Sequence, residues 1–130
     1  MVLGAIWTGA GKEIMLALRS AVKSKGVKWT DPPASPTHTI VILTEGTVAH
    51  GSDTARAILQ LLQDKNPFIF VHSMELGWDF DGAERRGADK LIDAALNAHE
   101  SMAYRPPEPP EMAYEHDAMV DEMLDRLNKT

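Results

Sequence analysis

Two short segments constrain this chain more than anything else in it. Thr39-Ile-Val-Ile-Leu43 and Pro67-Phe-Ile-Phe-Val71 are runs of β-branched and aromatic residues, apolar on both faces. A strand with one solvated face alternates apolar and polar residues. A strand with no polar face must be covered on both sides, as a parallel strand is between two helical layers. Val2 to Trp7 reads as a third strand, and Val27-Lys-Trp29 as a short fourth at an edge.

Helical patterns lie between these strands. In Lys12 to Lys25 the apolar positions are Ile14, Met15, Leu18, Ala21 and Val22, one stripe of a helix, and Gly26 follows as a C-terminal glycine. In Asp53 to Asp64 the stripe is Ala55, Ile58, Leu59 and Leu62, with Ser52 as N-cap. From Glu84 to Met102 it is Ala88, Leu91, Ile92, Ala95, Leu96 and His99, opposite Arg85, Arg86, Asp89, Lys90 and Asp93. The order β-α-β-β-α-β-α predicts an α/β fold with helices on both faces of a mostly parallel four-stranded sheet. Right-handed crossovers give it the order 2-1-3-4.

The end of the chain departs from this pattern. Arg105-Pro-Pro-Glu-Pro-Pro110 must be extended, because successive prolines favour polyproline II and bar a helix. Beyond it, Met112, His116, Met119, Val120, Met123, Leu124 and Leu127 form one stripe of a final helix. The expected organisation is therefore a domain over 1–104, a proline-rich spacer over 105–111 and an amphipathic helix over 112–130.

Composition narrows the function classes. With no cysteine, disulfides, thiolate metal sites and cysteine nucleophiles are excluded. The net charge of −6 argues against a nucleic-acid backbone binder, whose affinity rests on lysine and arginine. No apolar run approaches the ~20 residues of a membrane span. Met1 to Trp7 lacks the basic region and long apolar core of a signal peptide, so a cytoplasmic protein is expected. The five histidines show no metal-binding spacing, so no metal site is expected from them.

Open parallel sheets bind ligands at the C-terminal ends of their strands, where the strand order reverses. That point lies between the first and third strands. The loops there are Thr8-Gly-Ala-Gly-Lys12 and the eleven residues from Thr44 to Thr54, both rich in glycine and hydroxyls and both leading into a helix. Such loops suit phosphate. The first is not a P-loop, because Ile6 and Glu13 stand where glycine and a hydroxyl are required; of the dinucleotide-binding Gly-x-Gly-x-x-Gly fingerprint it keeps only Gly9 and Gly11. The second is longer than most strand-to-helix connections. After the fourth strand, His72 and Glu75 offer acid–base groups, and Asp79 and Asp81 offer oxygens for Mg²⁺ or a ribose.

Thr39-Ile-Val-Ile-Leu-Thr-Glu-Gly46, then Gly51-Ser52, a helix and Lys65-Asn-Pro-Phe-Ile-Phe-Val71, resemble the Rossmann-like LOG/DprA-related (SLOG) superfamily, nearest to the putative molybdenum carrier family. The likeness covers roughly residues 1–75. It implies a small Rossmann-like three-layer fold that binds a nucleotide or nucleotide-derived ligand on these loops. Carried over residue by residue, it makes Thr8, Gly9, Thr44, Gly46, Gly51 and Ser52 a phosphate cradle; their loop neighbours Gly11, Lys12 and Thr54 are candidates beside them. His50 stands where the first glycine of a Gly-Gly-Thr helix start would be. The helix glutamate of the enzymatic members is absent, since Ala55, Arg56 and Ala57 occupy that region.

Three functions compete. The first is nucleotide binding. The second is an interaction protein that forms a homo-oligomer, or joins an assembly, through its methionine-rich C-terminal helix. The third is a nucleotide N-glycosidase or transferase using Glu45, Glu75 or Asp79 as the catalytic carboxylate.

Overall fold

The computed structural model describes residues 1–129. Five parallel strands form one sheet in the order β2-β1-β3-β4-β5. They are β1 (Val2–Ile6), β2 (Lys28–Trp29), β3 (His38–Leu43), β4 (Phe68–His72) and β5 (Met102–Ala103). The helices are α1 (Lys12–Ser24), α2 (Asp53–Gln63), α3 (Ala83–Arg86), α4 (Lys90–Ala98) and α5 (Ala113–Asn128). This is a small Rossmann-like three-layer α/β fold.

The two doubly apolar runs are the central strands β3 and β4, and successive side chains feed opposite cores. Ile40, Ile42, Ile69 and Val71 pack under α1 and α5 with Leu3, Leu18, Val22, Val120 and Met123. Val41, Leu43 and Phe70 pack under α2 and α4 with Ile58, Trp78 and Ile92. Gly26 follows the C-terminal end of α1 at φ +80°, a conformation glycine adopts without a Cβ clash. Ser52 caps α2 by accepting the Ala55 N–H at 3.1 Å.

The structure corrects the reading of 84–102. One continuous helix was expected; instead the segment is α3, α4 and the fifth strand β5, which pairs with β4 through Val71–Met102 and His72–Ala103. The sheet therefore has five strands rather than four, with the order of the first four as expected. Gly87 closes α3, and Asp89 sits outside helical geometry at ψ 145°, so α4 starts a new axis. The stripe shifts with it. Ile92 and Ala95 are buried, but Leu91 is 66% exposed. Arg85, placed by periodicity on the solvent side, keeps only 11% of its side chain exposed and pairs with Asp93. His99 is exposed and sets its ring edge-on to Phe68.

The final helix follows the extended proline segment and a short turn at Pro110–Met112. It packs back on its own chain. His116, Met119, Val120, Met123 and Leu127 are buried, and Lys25 at the end of α1 bridges to Asp117 and Asp121 at 2.8 and 2.9 Å. His116 Nδ1 donates to the Arg105 carbonyl at 2.6 Å, tying helix to spacer. Because this stripe is already covered, a homo-oligomer built on it would require the helix to be exchanged between chains. No described helix is long and apolar enough to cross a membrane.

Candidate functional site

Parallel strands end together, so one rim of the sheet collects the residues that follow them. After β1 comes Thr8. After β3 come Thr44, Glu45 and Gly46. After β4 come Ser73 to Leu76, and after β5 come Tyr104 and Arg105. The order reverses between β1 and β3, and there the two predicted loops meet.

Their hydroxyls form a directed chain. The Ile42 carbonyl can only accept, and Thr47 Oγ1 donates to it at 3.0 Å. Thr47 therefore accepts from Thr44 Oγ1 at 3.3 Å, and Thr44 accepts from Thr8 Oγ1 at 2.7 Å. Thr44 and Thr47 are fully buried. Thr8 closes the chain at the surface with its hydrogen turned inward, so it offers the rim lone pairs.

The second loop contains an anion grip. Gly46, at φ +90°, points its N–H at Glu84 Oε1, 2.7 Å away. The Val48 N–H reaches Glu84 Oε2 at 3.3 Å. One carboxylate is thus held across both oxygens by two backbone donors, which is how a backbone concavity binds an anion. His50, beside them, pairs through Nδ1 with Asp89 Oδ1 at 3.0 Å. Farther along, Gly51 takes φ +77°, Ser52 is spent on its cap, and Thr54 donates to the Thr47 carbonyl at 2.8 Å.

The first loop divides by residue. A Cβ on Gly11 would stand 3.2 Å from Ile42 Cγ2, so this glycine lets the start of α1 approach β3. Gly9 has nothing within 4 Å of a built Cβ and no left-handed backbone, so packing does not require glycine there. Lys12 is exposed at the first residue of α1 and makes no ion pair among the described residues.

A groove of about 960 Å³ opens next along the rim, between α1 and the proline segment, with Ile14, His72, Glu75, Leu76, Tyr104 and Arg105 among its walls. Leu76 joins it to the loops by accepting the Glu45 N–H at 2.9 Å. Burial pushes His72 below its ordinary pKa and favours the neutral ring, whose Nδ1 lies 2.7 Å from Ser101 Oγ. Burial, and then the Glu13 charge, push the Tyr104 hydroxyl up to about 12.

The three candidate carboxylates are dispersed by role. Glu75 lines the groove, and Glu45 is exposed beside Gly77. Asp79 accepts the Asp81 N–H at 2.9 Å and shapes its own turn. Among the described residues no three acidic or histidine groups gather as a metal site.

Glu84, Ser101 and Tyr104 are the participants that sequence reasoning missed. Glu84 contacts a loop 38 residues away, and no local spacing encodes that. Compared with known proteins, the chain matches no family model, no curated protein and no solved structure.

Proposed function

We propose that the chain binds a nucleotide or nucleotide-derived small molecule on the C-terminal rim of its parallel sheet. The observation that carries this reading is the grip of the Gly46 and Val48 N–H groups on a carboxylate at the point where strand order reverses. Donors that hold a carboxylate suit a phosphate equally well. Exposed Lys12 adds positive charge on the neighbouring loop, and Gly9 leaves that loop open to close approach. The adjoining groove, about 960 Å³, has room for a nucleoside and apolar walls at Ile14 and Leu76 for a base. Thr8 would accept a hydrogen bond from a ribose hydroxyl. The reading agrees with what the SLOG resemblance implies.

Native mass spectrometry of freshly purified protein, followed by titration with a nucleotide panel, tests it. A retained or titratable mass of nucleotide size is expected. Gly9→Asp and Lys12→Glu should each weaken that binding roughly tenfold or more, about 1.4 kcal/mol. A panel that does not bind, or binding indifferent to both variants, overturns the reading.

A further inference from the structure

We propose that Glu84 is an internal plug, a carboxylate that occupies the anion position of the second loop and must leave before a ligand phosphate can enter. The inference rests on the ligand reading above and concerns the regulation of that same site. Both oxygens of Glu84 are engaged, at 2.7 Å to Gly46 N and 3.3 Å to Val48 N, so the donors a phosphate would use are occupied.

The element that carries the plug is short and is held by polar contacts rather than by apolar packing. The helix α3 is four residues long and has no buried residue. Its displacement therefore exposes little apolar surface, and what resists it is polar contact. The anchors of α3 are polar. Arg85 pairs with Asp93 and donates to Asn97 Oδ1 at 3.1 Å, and Arg86 donates to the Asp81 carbonyl. Gly82 and Gly87 bound it on either side. A second contact, His50 to Asp89 at 3.0 Å, latches the same loop to the start of α4.

The competition has a defined sense. A tethered carboxylate acts at high effective concentration, which lowers the apparent affinity of a free anion. A phosphate dianion carries more charge and three acceptor oxygens, so it gains more from the two N–H groups than the carboxylate does. Closed and open states are thus set by ligand concentration, with α3 as the moving part.

The test uses inorganic phosphate and AMP as probes on the full chain, read by amide chemical shifts and calorimetric titration. In the free protein the Gly46 and Val48 amides should shift when Glu84→Ala is introduced. Glu84→Ala should bind phosphate at those amides about tenfold more tightly than wild type, the factor for an open state populated at roughly one part in ten. Glu84→Gln, which removes the charge and keeps the bulk, should fall between the two and carries the test if Glu84→Ala loses amide dispersion. Equal affinity of wild type and variants overturns the plug and leaves nucleotide binding standing. Weaker binding in Glu84→Ala overturns it too and makes Glu84 a strut that shapes the loop. If phosphate never moves Gly46 or Val48 the plug falls, and if AMP also binds nowhere on the rim the ligand reading falls with it.

Discussion

The hydroxyls of Thr8 and Thr44 meet at 2.7 Å and fasten the end of β1 to the end of β3. Behind them Thr47 serves three partners, donating to the Ile42 carbonyl and accepting from the Thr44 N–H and hydroxyl. Removal of the Thr47 hydroxyl orphans a buried N–H, whereas removal of the Thr8 hydroxyl orphans nothing. Thr47→Val should cost about 1–3 kcal/mol and Thr8→Val about 0.5–1 kcal/mol. Urea unfolding of both variants checks the ranking.

The two glycines of the first loop should separate by stability alone. Gly11→Ala pushes a methyl to 3.2 Å from Ile42 Cγ2, and overpacking of that kind costs about 1–3 kcal/mol. Gly9→Ala meets open space and should be neutral, or stabilising by up to about 1 kcal/mol through the unfolded chain. Melting temperatures of the pair decide it.

The last helix is part of the core. Met123 is fully buried among residues of α1 and the sheet, and Met123→Ala should cost about 2–5 kcal/mol. Tyr114, on the same helix but 83% exposed, should change stability by about 0.5 kcal/mol or less on replacement by alanine. Denaturant midpoints of the two variants give the contrast.

Acid should weaken the fold through His72. Its folded pKa lies below the ordinary 6.5 because burial disfavours the imidazolium. Unfolded chain therefore binds the proton first. The contribution of the neutral ring is complete above about pH 6.5 and is lost as pH falls toward the folded pKa. His38, lowered by burial and then by the N-terminal ammonium, acts with the same sign. His72→Gln should flatten a plot of melting temperature against pH between 7 and 5, leaving the slope of His38.

The sequence made the centre of the fold legible and its margin illegible, for one physical reason. β3 and β4 are covered on both sides, so the residues from Thr39 to Leu43 and from Ile69 to Val71 are all buried and carry that signal. β5 is two residues long, and Met102-Ala103 has no periodicity to read. The segment before it misled because adjacent Leu91 and Ile92 fit one stripe, and the break at Gly87 leaves only Ile92 facing inward. The site divided in the same way. Thr8, Thr44 and Gly46 were legible as strand-end loop residues, but the group that fills their grip comes from Glu84, and long-range pairing leaves no local trace.

The short outer strands carry a consequence for how the chain behaves at high concentration. The sheet ends in β2 on one side and β5 on the other, two residues each. Prolines follow both closely, Pro32 and Pro33 after β2 and Pro106 and Pro107 after β5. A neighbouring chain that sought to extend the ladder would find little backbone to pair with, and then a residue that cannot donate. The aggregation-prone runs of β3 and β4 are thereby kept from templating fibril growth as long as these margins stay folded.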